Sequence, residues 1–314
     1  MTTWNTPPTL PATGRHAAPR FTPAPPISLG LRRYSNQADG RWLGGPDPLG
    51  ITGLRARQLD EKNKLLDTRR QAVFDVHEQA EAAAREAAML IKDIAAIPDA
   101  AYQTDQPKDK ALLFRSEQAS SQFLSACRLI PEDILLVVPE KGAGENQTEW
   151  RLRGATLAFP SHWQLAEKMG KTLAELHSPV PEFRRRLAGP VNRFFDAMQP
   201  AHISWRQNWS MQTDDRLFAR DRERIHPEKL TRQQAGSHIF IRVETQHFYK
   251  LPISGTVIFA IRTSLAPLSF WNANPAPIAA LASQIDQLSE NMQEYKAIDK
   301  LRPALHHWLD SHAD

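Results

Sequence analysis

The 314-residue chain contains a single cysteine, Cys127, and this scarcity excludes several kinds of site. One thiol cannot form an intrachain disulfide, nor can it alone hold an iron–sulfur cluster or a zinc–thiolate centre. Cys127 falls in an apolar helical pattern, so we expect it to be simply a buried side chain. This cysteine usage is consistent with a reducing, cytoplasmic environment.

Other features that the sequence lacks exclude further classes of protein. No run of about 18 apolar residues occurs, which predicts no transmembrane helix, and residues 1–19 lack the charged and apolar regions of a secretory signal. The 39 basic and 35 acidic residues give a net charge of +4, too small and too scattered for nucleic-acid binding. There is no HExxH motif and no G-x-G-x-x-G loop, so a zinc hydrolase of that type and a dinucleotide-binding loop are not expected.

Composition divides the chain into four segments. Seven prolines within residues 1–30 predict an extended arm or a disordered tail, followed by a turn-rich lead-in. A stretch without Gly or Pro predicts a long helix from Leu54 to Ala96, and a second helix is expected from Lys108 to Arg128. The predicted segments are the arm and lead-in over 1–50, a helical segment over 51–129, a sheet domain over 130–270 and C-terminal helices over 271–314.

The sheet domain contains five strand-like runs separated by a cluster of short helices. Glycine-rich or proline-rich turns follow the first and fourth runs and predict two hairpins. The order is strand, strand, helices and three strands, which is the order of a PAS-type domain. We therefore predict an α+β fold, a PAS-like antiparallel five-stranded sheet with a helical cluster on one face, flanked by N- and C-terminal helices. The predicted strands are Asp133–Pro139, Trp150–Phe159, Ser204–Gln212, Ile239–Leu251 and Thr256–Leu265.

His177 ends the helical cluster and is its most informative residue. Two capping boxes, Ser161 with Gln164 and Thr172 with Glu175, predict two short helices, and prolines follow His177 closely. If the helices are collinear, His177 shares an apolar stripe with Trp163, Ala166, Met169, Leu173 and Leu176. A buried imidazole there needs a partner, either a backbone carbonyl, as in an ordinary core histidine, or a metal such as haem iron. Haem-binding PAS sensors carry their iron ligand at this position.

Polar residues alternate with apolar ones along the last three strands. One interpretation is a sheet with a core face and a solvated face. The other is that some polar groups line a pocket above a flat cofactor: Arg206 or Arg262 would pair with haem propionates, and Glu244 would hold a cationic substrate. Strand register decides between them, because a slip of one residue exchanges the faces.

Several ordered blocks resemble the alpha subunit of haem-dependent oxidative N-demethylase (dimethylamine monooxygenase). PSHWQLAEKMGKTLAELHSPVPEF, SWRQNW and IRVETQHFYKLPISGTVIFAIRTSLAPL are similar to the family blocks S-x-W-x-x-x-E-K-x-G, I/L-H-x-P-V-P, R-x-N-W, R-V-E-x-Q-x-x-x-x-L-P and F-x-I-R-T. The resemblance covers roughly residues 130–270, and the lead-in GRWLGGPDPLGITGLRARQLDEKNKLL is similar more loosely.

The resemblance implies a haem b-dependent monooxygenase. It implies that dioxygen oxidises a small secondary amine, such as dimethylamine, to a primary amine and formaldehyde. It further implies that electrons come from NADPH through a separate reductase subunit with FMN and a 2Fe–2S centre; the single cysteine and the missing nucleotide loop agree with that division. No nucleic-acid or membrane partner is expected, and the oligomeric state stays open.

The resemblance also implies roles for individual residues. His177 matches the family histidine and would be the proximal iron ligand, and Glu244 would lie on the distal, amine-binding side. Asn208 and Arg242 would act beside Glu244. The residues expected to bind the cofactor with His177 are Arg206, Trp209 and Arg262. Two alternatives remain: a non-enzymatic haem-binding sensor and a haem-free ligand-binding module.

Overall fold

A computed structural model describes most of the chain beyond the N-terminal arm. The predicted arm over residues 1–30 lies outside the described residues. The described residues are 31–34, 42–45, 47–51, 53–96, 117–142, 144, 147–161, 164–181, 183–200, 202–219, 230, 232–296 and 298–312.

In the described residues, the fold is α+β and is built on an open antiparallel sheet of seven strands. The strand order across the sheet is β1-β5-β6-β7-β3-β4-β2. The two predicted hairpins, β3 with β4 and β6 with β7, are confirmed. The strands are β1 (Arg32–Arg33), β2 (Phe74–Val76), β3 (Asp133–Lys141), β4 (Thr148–Thr156), β5 (Ile203–Gln212), β6 (Phe240–Lys250) and β7 (Val257–Pro267).

Helices fill the segments between and around the strands. Among the described residues, four short helices lie between β4 and β5, where the sequence predicts a cluster of short helices, and the C-terminal segment contains three helices. The helices are α1 (Leu54–Thr68), α2 (Arg70–Val73), α3 (Glu81–Ala96), α4 (Ala119–Cys127), α5 (Leu165–Lys168), α6 (Leu173–Leu176), α7 (Phe183–Arg186), α8 (Ala188–Ala197), α9 (Arg232–His238), α10 (Ala276–Asp286), α11 (Glu290–Tyr295) and α12 (Arg302–Asp310).

The prediction of five strands was wrong, because the sheet has two further strands at its edges. β1 is two residues long and pairs with β5, and β2 is three residues long and pairs with β4. Such short runs carry no alternation that a sequence pattern can register. They form because the outer backbone groups of β4 and β5 need hydrogen-bond partners.

The prediction of one helix from Leu54 to Ala96 was also wrong. The helix stops at Arg69, whose backbone angles are not helical (φ −138°, ψ 36°), and the chain then forms β2 before helix α3 begins at Glu81. Pairing with β4 outweighs a helix propensity worth only tenths of a kcal/mol per residue. Of the second predicted helix, α4 is present, and the residues from 108 to 116 lie outside the described part of the chain.

Both faces of the sheet are covered, by different parts of the chain. Helices α5 to α8 pack on one face, against apolar side chains such as Leu135, Phe248 and Val257. We call this the cluster face. The opposite face is covered by α3 and α4 over one half and by α10 and α12 over the other. The resemblance to a PAS domain and the four-segment division remain predictions.

Two further expectations concern the burial of Cys127 and membrane-spanning helices. Cys127 is fully buried, as predicted, and burial raises the pKa of its thiol to about 11. Among the described residues, no helix combines the length and the apolar character needed to span a membrane.

Candidate functional site

Helix α6 positions His177 at its C-terminal end. The capping box predicted for this helix is confirmed: the Thr172 hydroxyl accepts a hydrogen bond from the Glu175 amide at 3.2 Å, and the Glu175 carboxylate accepts one from the Thr172 amide at 2.7 Å. The box predicted for the preceding helix was wrong, since α5 starts after Gln164 and has no side-chain cap. His177 is the residue that ends α6.

The two short helices are not collinear, so the predicted stripe is not one continuous helical face. Met169 has extended backbone angles and Gly170 has a positive φ of 79°, which turns the chain between α5 and α6. Leu165, Met169 and Leu173 nevertheless belong to one apolar cluster, because both helices face the sheet. Trp163 lies outside the described residues.

The His177 imidazole is fixed by two contacts. Its Nδ1 lies 2.8 Å from the carbonyl oxygen of Leu173, so Nδ1 carries the proton and donates. The ring stacks on Phe183, with centroids 4.6 Å apart and planes 9° apart. Nε2 therefore carries the lone pair, and it has no hydrogen-bond partner among the described residues.

Electrostatics keep the ring neutral. Burial is the main cause that lowers the pKa of His177, and the positive charges of Arg206 and Lys168 act in the same direction; the hydrogen bond to Leu173 opposes them. A neutral imidazole with Nδ1 donating to a carbonyl and Nε2 open is the form that binds a metal ion. The carbonyl bond also satisfies an ordinary core histidine, so Nε2 is the atom that distinguishes the two interpretations.

Strand register decides which predicted polar residues share the cluster face. Asn208 is paired with Glu244 across β5 and β6, and Ser210 is paired with Arg242. Arg206 lies two residues before Asn208 and therefore on the same face. On β6 this face continues to Phe248, which packs in the apolar cluster of α5 to α8. The structure thus brings Arg206, Asn208, Arg242 and Glu244 to the face that carries His177.

Glu244 is held by its own strand. The Arg242 Nε donates to one carboxylate oxygen of Glu244 at 3.2 Å, and the Gln246 amide donates to the other at 3.1 Å. A carboxylate has about four acceptor positions, so further donors can still bind. The Glu244 side chain keeps 13% of its exposure, whereas that of Arg242 keeps none. Sequence alternation placed Gln246 beside Glu244, but its contact with the carboxylate was not predicted.

Arg242 and Arg206 are enclosed in different ways. Arg242 also donates to the carbonyls of Phe159 and Leu217 and to the Thr263 hydroxyl, so its guanidinium is used by the protein itself. Burial lowers the pKa of Arg206, and the carboxylate of Glu244 acts in the opposite direction. Arg206 is therefore a largely buried cation that acts electrostatically on both His177 and Glu244.

Two expected cofactor-binding residues do not reach this face. Arg262 is paired with Thr245, and Trp209 with Val243, so both point to the opposite face. Arg262 is 2% exposed, and its guanidinium lies 3.7 Å from a Glu132 oxygen and 4.0 Å from an Asp47 oxygen. Sequence alone did not separate these residues from Arg206 because the register that orients β7 is set by long-range pairing.

A further cation near Glu244 was not predicted. Lys296 follows helix α11, and its ammonium donates to the Trp209 carbonyl at 2.8 Å and to the Asn208 side-chain oxygen at 3.4 Å. Burial lowers the pKa of Lys296 to about 8, while Glu244 acts to raise it. No local signal marks this lysine, because its partners lie almost 90 positions earlier in the chain.

A comparison with protein families agrees with the resemblance seen in the sequence. The model of the family described as haem-dependent oxidative N-demethylase, alpha subunit-like, matches residues 56–306 of the 314-residue chain. The match includes every strand of the sheet except β1 and all the polar residues of the cluster face. The family description names haem, and the term alpha subunit implies an enzyme of several subunits. The chain belongs to this haem-dependent oxidative N-demethylase alpha subunit-like family.

Proposed function

We propose that the protein is the haem-binding subunit of a monooxygenase that removes a methyl group from a small, dimethylamine-like secondary amine. The amine, dioxygen, two electrons and two protons would give a primary amine, formaldehyde and water. Electrons would come from NADPH through a separate reductase subunit carrying FMN and a 2Fe–2S centre. Family membership supports the reaction class, and His177 is the observation that carries the proposal for this chain.

The residues of the cluster face fit a haem group. His177 offers a neutral imidazole with its Nε2 lone pair open, stacked against Phe183. Phe248 and Phe259 add a stacked pair of apolar rings on the sheet, with ring centroids 4.8 Å apart. Arg206 adds positive charge on this face, close enough to act on His177. Haem b carries two propionates that would balance this charge.

The protein residues would divide the work as follows. Haem supplies dioxygen activation and oxidation of the methyl carbon when it is bound. His177 would hold the iron, and Arg206 would pair with a propionate. Glu244 would accept a hydrogen bond from the amine nitrogen, which orients one methyl group, and Asn208 would border the same space. Arg242 would keep the Glu244 carboxylate in place.

Absorbance spectroscopy of the haem-loaded chain tests the proposal. We expect a Soret band and an amine-dependent spectral change with dimethylamine, both lost in His177→Ala. His202→Ala is the matched control, because His202 is exposed just before β5 and should leave both signals intact. Haem uptake without amine-dependent NADPH consumption in the presence of the reductase would instead favour a haem sensor. No haem uptake by the wild-type chain would favour a haem-free ligand-binding module.

A further inference from the structure

Lys296 reaches the site around the free edge of the sheet. β1 pairs with β5 only at Ser204 and Trp205, so no described strand borders β5 at Asn208 and Trp209. The Lys296 ammonium contacts the Trp209 carbonyl in the plane of the sheet and lies 4.6 Å from the Trp209 ring on the opposite face. It also contacts the Asn208 side chain on the cluster face. The C-terminal segment thereby reaches a face that its helices do not cover.

The contact with Lys296 fixes the orientation of the Asn208 amide. An ammonium group has only donors, so the amide atom that faces it at 3.4 Å must be the oxygen. The NH₂ group of Asn208 then points away from the sheet edge. Asn208 and Glu244 are directly paired across β5 and β6, and such side chains lie about 5 Å apart at Cβ. The amide donor is therefore presented beside the carboxylate.

Lys296 also changes the electrostatics around Glu244. Its charge interacts favourably with the Glu244 carboxylate and unfavourably with Arg206. The ammonium is enclosed, so these interactions are weakly screened by solvent. An enclosed cation is retained beside Arg206 because two hydrogen bonds and the Trp209 ring compensate for its lost hydration.

We propose that Lys296 is a positioning residue for amine binding, which acts through the Asn208 amide that it orients beside Glu244. This inference rests on the proposed function, since it concerns the same amine site. It also assigns the C-terminal segment a role in the site in addition to its packing on the opposite face.

The test measures amine affinity rather than turnover. Haem-loaded wild type, Lys296→Met, Asn208→Ala and the double variant are titrated with dimethylamine, and the spectral change gives each dissociation constant. We expect Lys296→Met to weaken binding about tenfold, the size of a hydrogen bond to a charged group, with an unchanged Soret band. In the Asn208→Ala background the same change should have a much smaller effect, because the residue acts through Asn208. Lys296→Arg should restore most of the affinity.

The controls separate this inference from the proposed function. Lys300→Met removes an exposed lysine of the same segment and should leave affinity unchanged. If Lys296→Met binds the amine like wild type, or if its effect is equal in both Asn208 backgrounds, the positioning role is wrong while the haem enzyme stands. If Lys296→Arg restores stability but not affinity, a cationic donor at this position is not what supports amine binding, and the inference fails. A wild-type chain without a Soret band overturns both proposals.

Discussion

Arg242 and Arg262 show how one residue type takes two roles on neighbouring strands. Both are buried, but Arg242 lies on the cluster face and bonds Glu244, Phe159 and Leu217, whereas Arg262 lies on the opposite face near two carboxylates. Arg242 therefore orients a neighbouring carboxylate and satisfies backbone carbonyls, which makes it a structural support of the site.

Arg242→Met should lower the free energy of unfolding by about 3–5 kcal/mol, because it removes a buried donor from two carbonyls and leaves the partly buried Glu244 carboxylate with Gln246 alone. Urea unfolding followed by circular dichroism measures the loss. Arg302→Met is the control: Arg302 is exposed and pairs with Asp286 at 2.8 Å, a contact worth at most about 1 kcal/mol. Equal stability of Arg242→Met and wild type would contradict the role of Arg242.

His247 provides a pH-dependent contribution to stability. Its ring lies among the rings of Tyr34, Trp42 and Trp205, and its buried Nδ1 has no hydrogen-bond partner in the described part of the chain. Burial lowers the pKa of His247 from 6.5 to about 4. Between these two pH values the unfolded chain binds more protons than the folded one. The contribution of neutral His247 to the free energy of unfolding is therefore complete above pH 6.5 and is lost as the pH falls to about 4.

We expect His247→Phe to remove this contribution, so that acidification from pH 6.5 to 4 costs up to about 3 kcal/mol less stability than in wild type. Wild type and His247→Phe must be compared at each pH, because a second buried group also titrates in this range. Burial raises the pKa of Asp133 to about 6, so Asp133 makes the folded protein less stable as the pH rises from 3.8 to 6. Unfolding titrations across this pH range measure the slope. An unchanged slope in His247→Phe would refute the assignment.

At the scale of elements, helix α6 shows what local sequence can determine. Thr172 and Glu175 form the predicted capping box, and His177 ends the helix before two prolines as expected. β1 and β2 show the opposite case. Each is too short to carry a pattern of its own and forms only because a neighbouring strand offers free backbone groups.

Thr172→Ala should destabilise the protein by about 1 kcal/mol, since it removes the hydroxyl that caps α6. It should also weaken haem retention, because the cap holds the turn that orients His177. Thr68→Ala serves as the control: this exposed hydroxyl bonds a carbonyl of its own helix at 2.7 Å and does not cap it. Thermal unfolding and a haem-transfer assay give the two measurements. Wild-type values for both in Thr172→Ala would show that the cap does not support the site.

At the scale of the whole molecule, the site depends on a segment that packs elsewhere. The C-terminal helices bury Ile285, Leu305 and Trp308 against the opposite face, and Lys296 extends around the sheet edge to the cluster face. The packing of α10 and α12 thus holds in place the turn that carries Lys296.

Leu305→Ala should cost about 2–5 kcal/mol of unfolding free energy, because Leu305 is fully buried in this cluster. Leu309→Ala, at a partly buried position on the same helix, should cost clearly less. Denaturant unfolding compares the two variants. A similar loss at both positions would mean that α12 does not form the core contact described here.

The sequence by itself determined the α+β class, the two hairpins, the cap before His177 and the family, because each depends on residues that are close in the chain or on ordered motifs. The tertiary structure decided which polar residues share the cluster face, that Arg262 and Trp209 do not, and that Lys296 joins Asn208. Those arrangements depend on strand register and on contacts across tens of residues, which are set by the packing of the whole sheet and leave no local pattern.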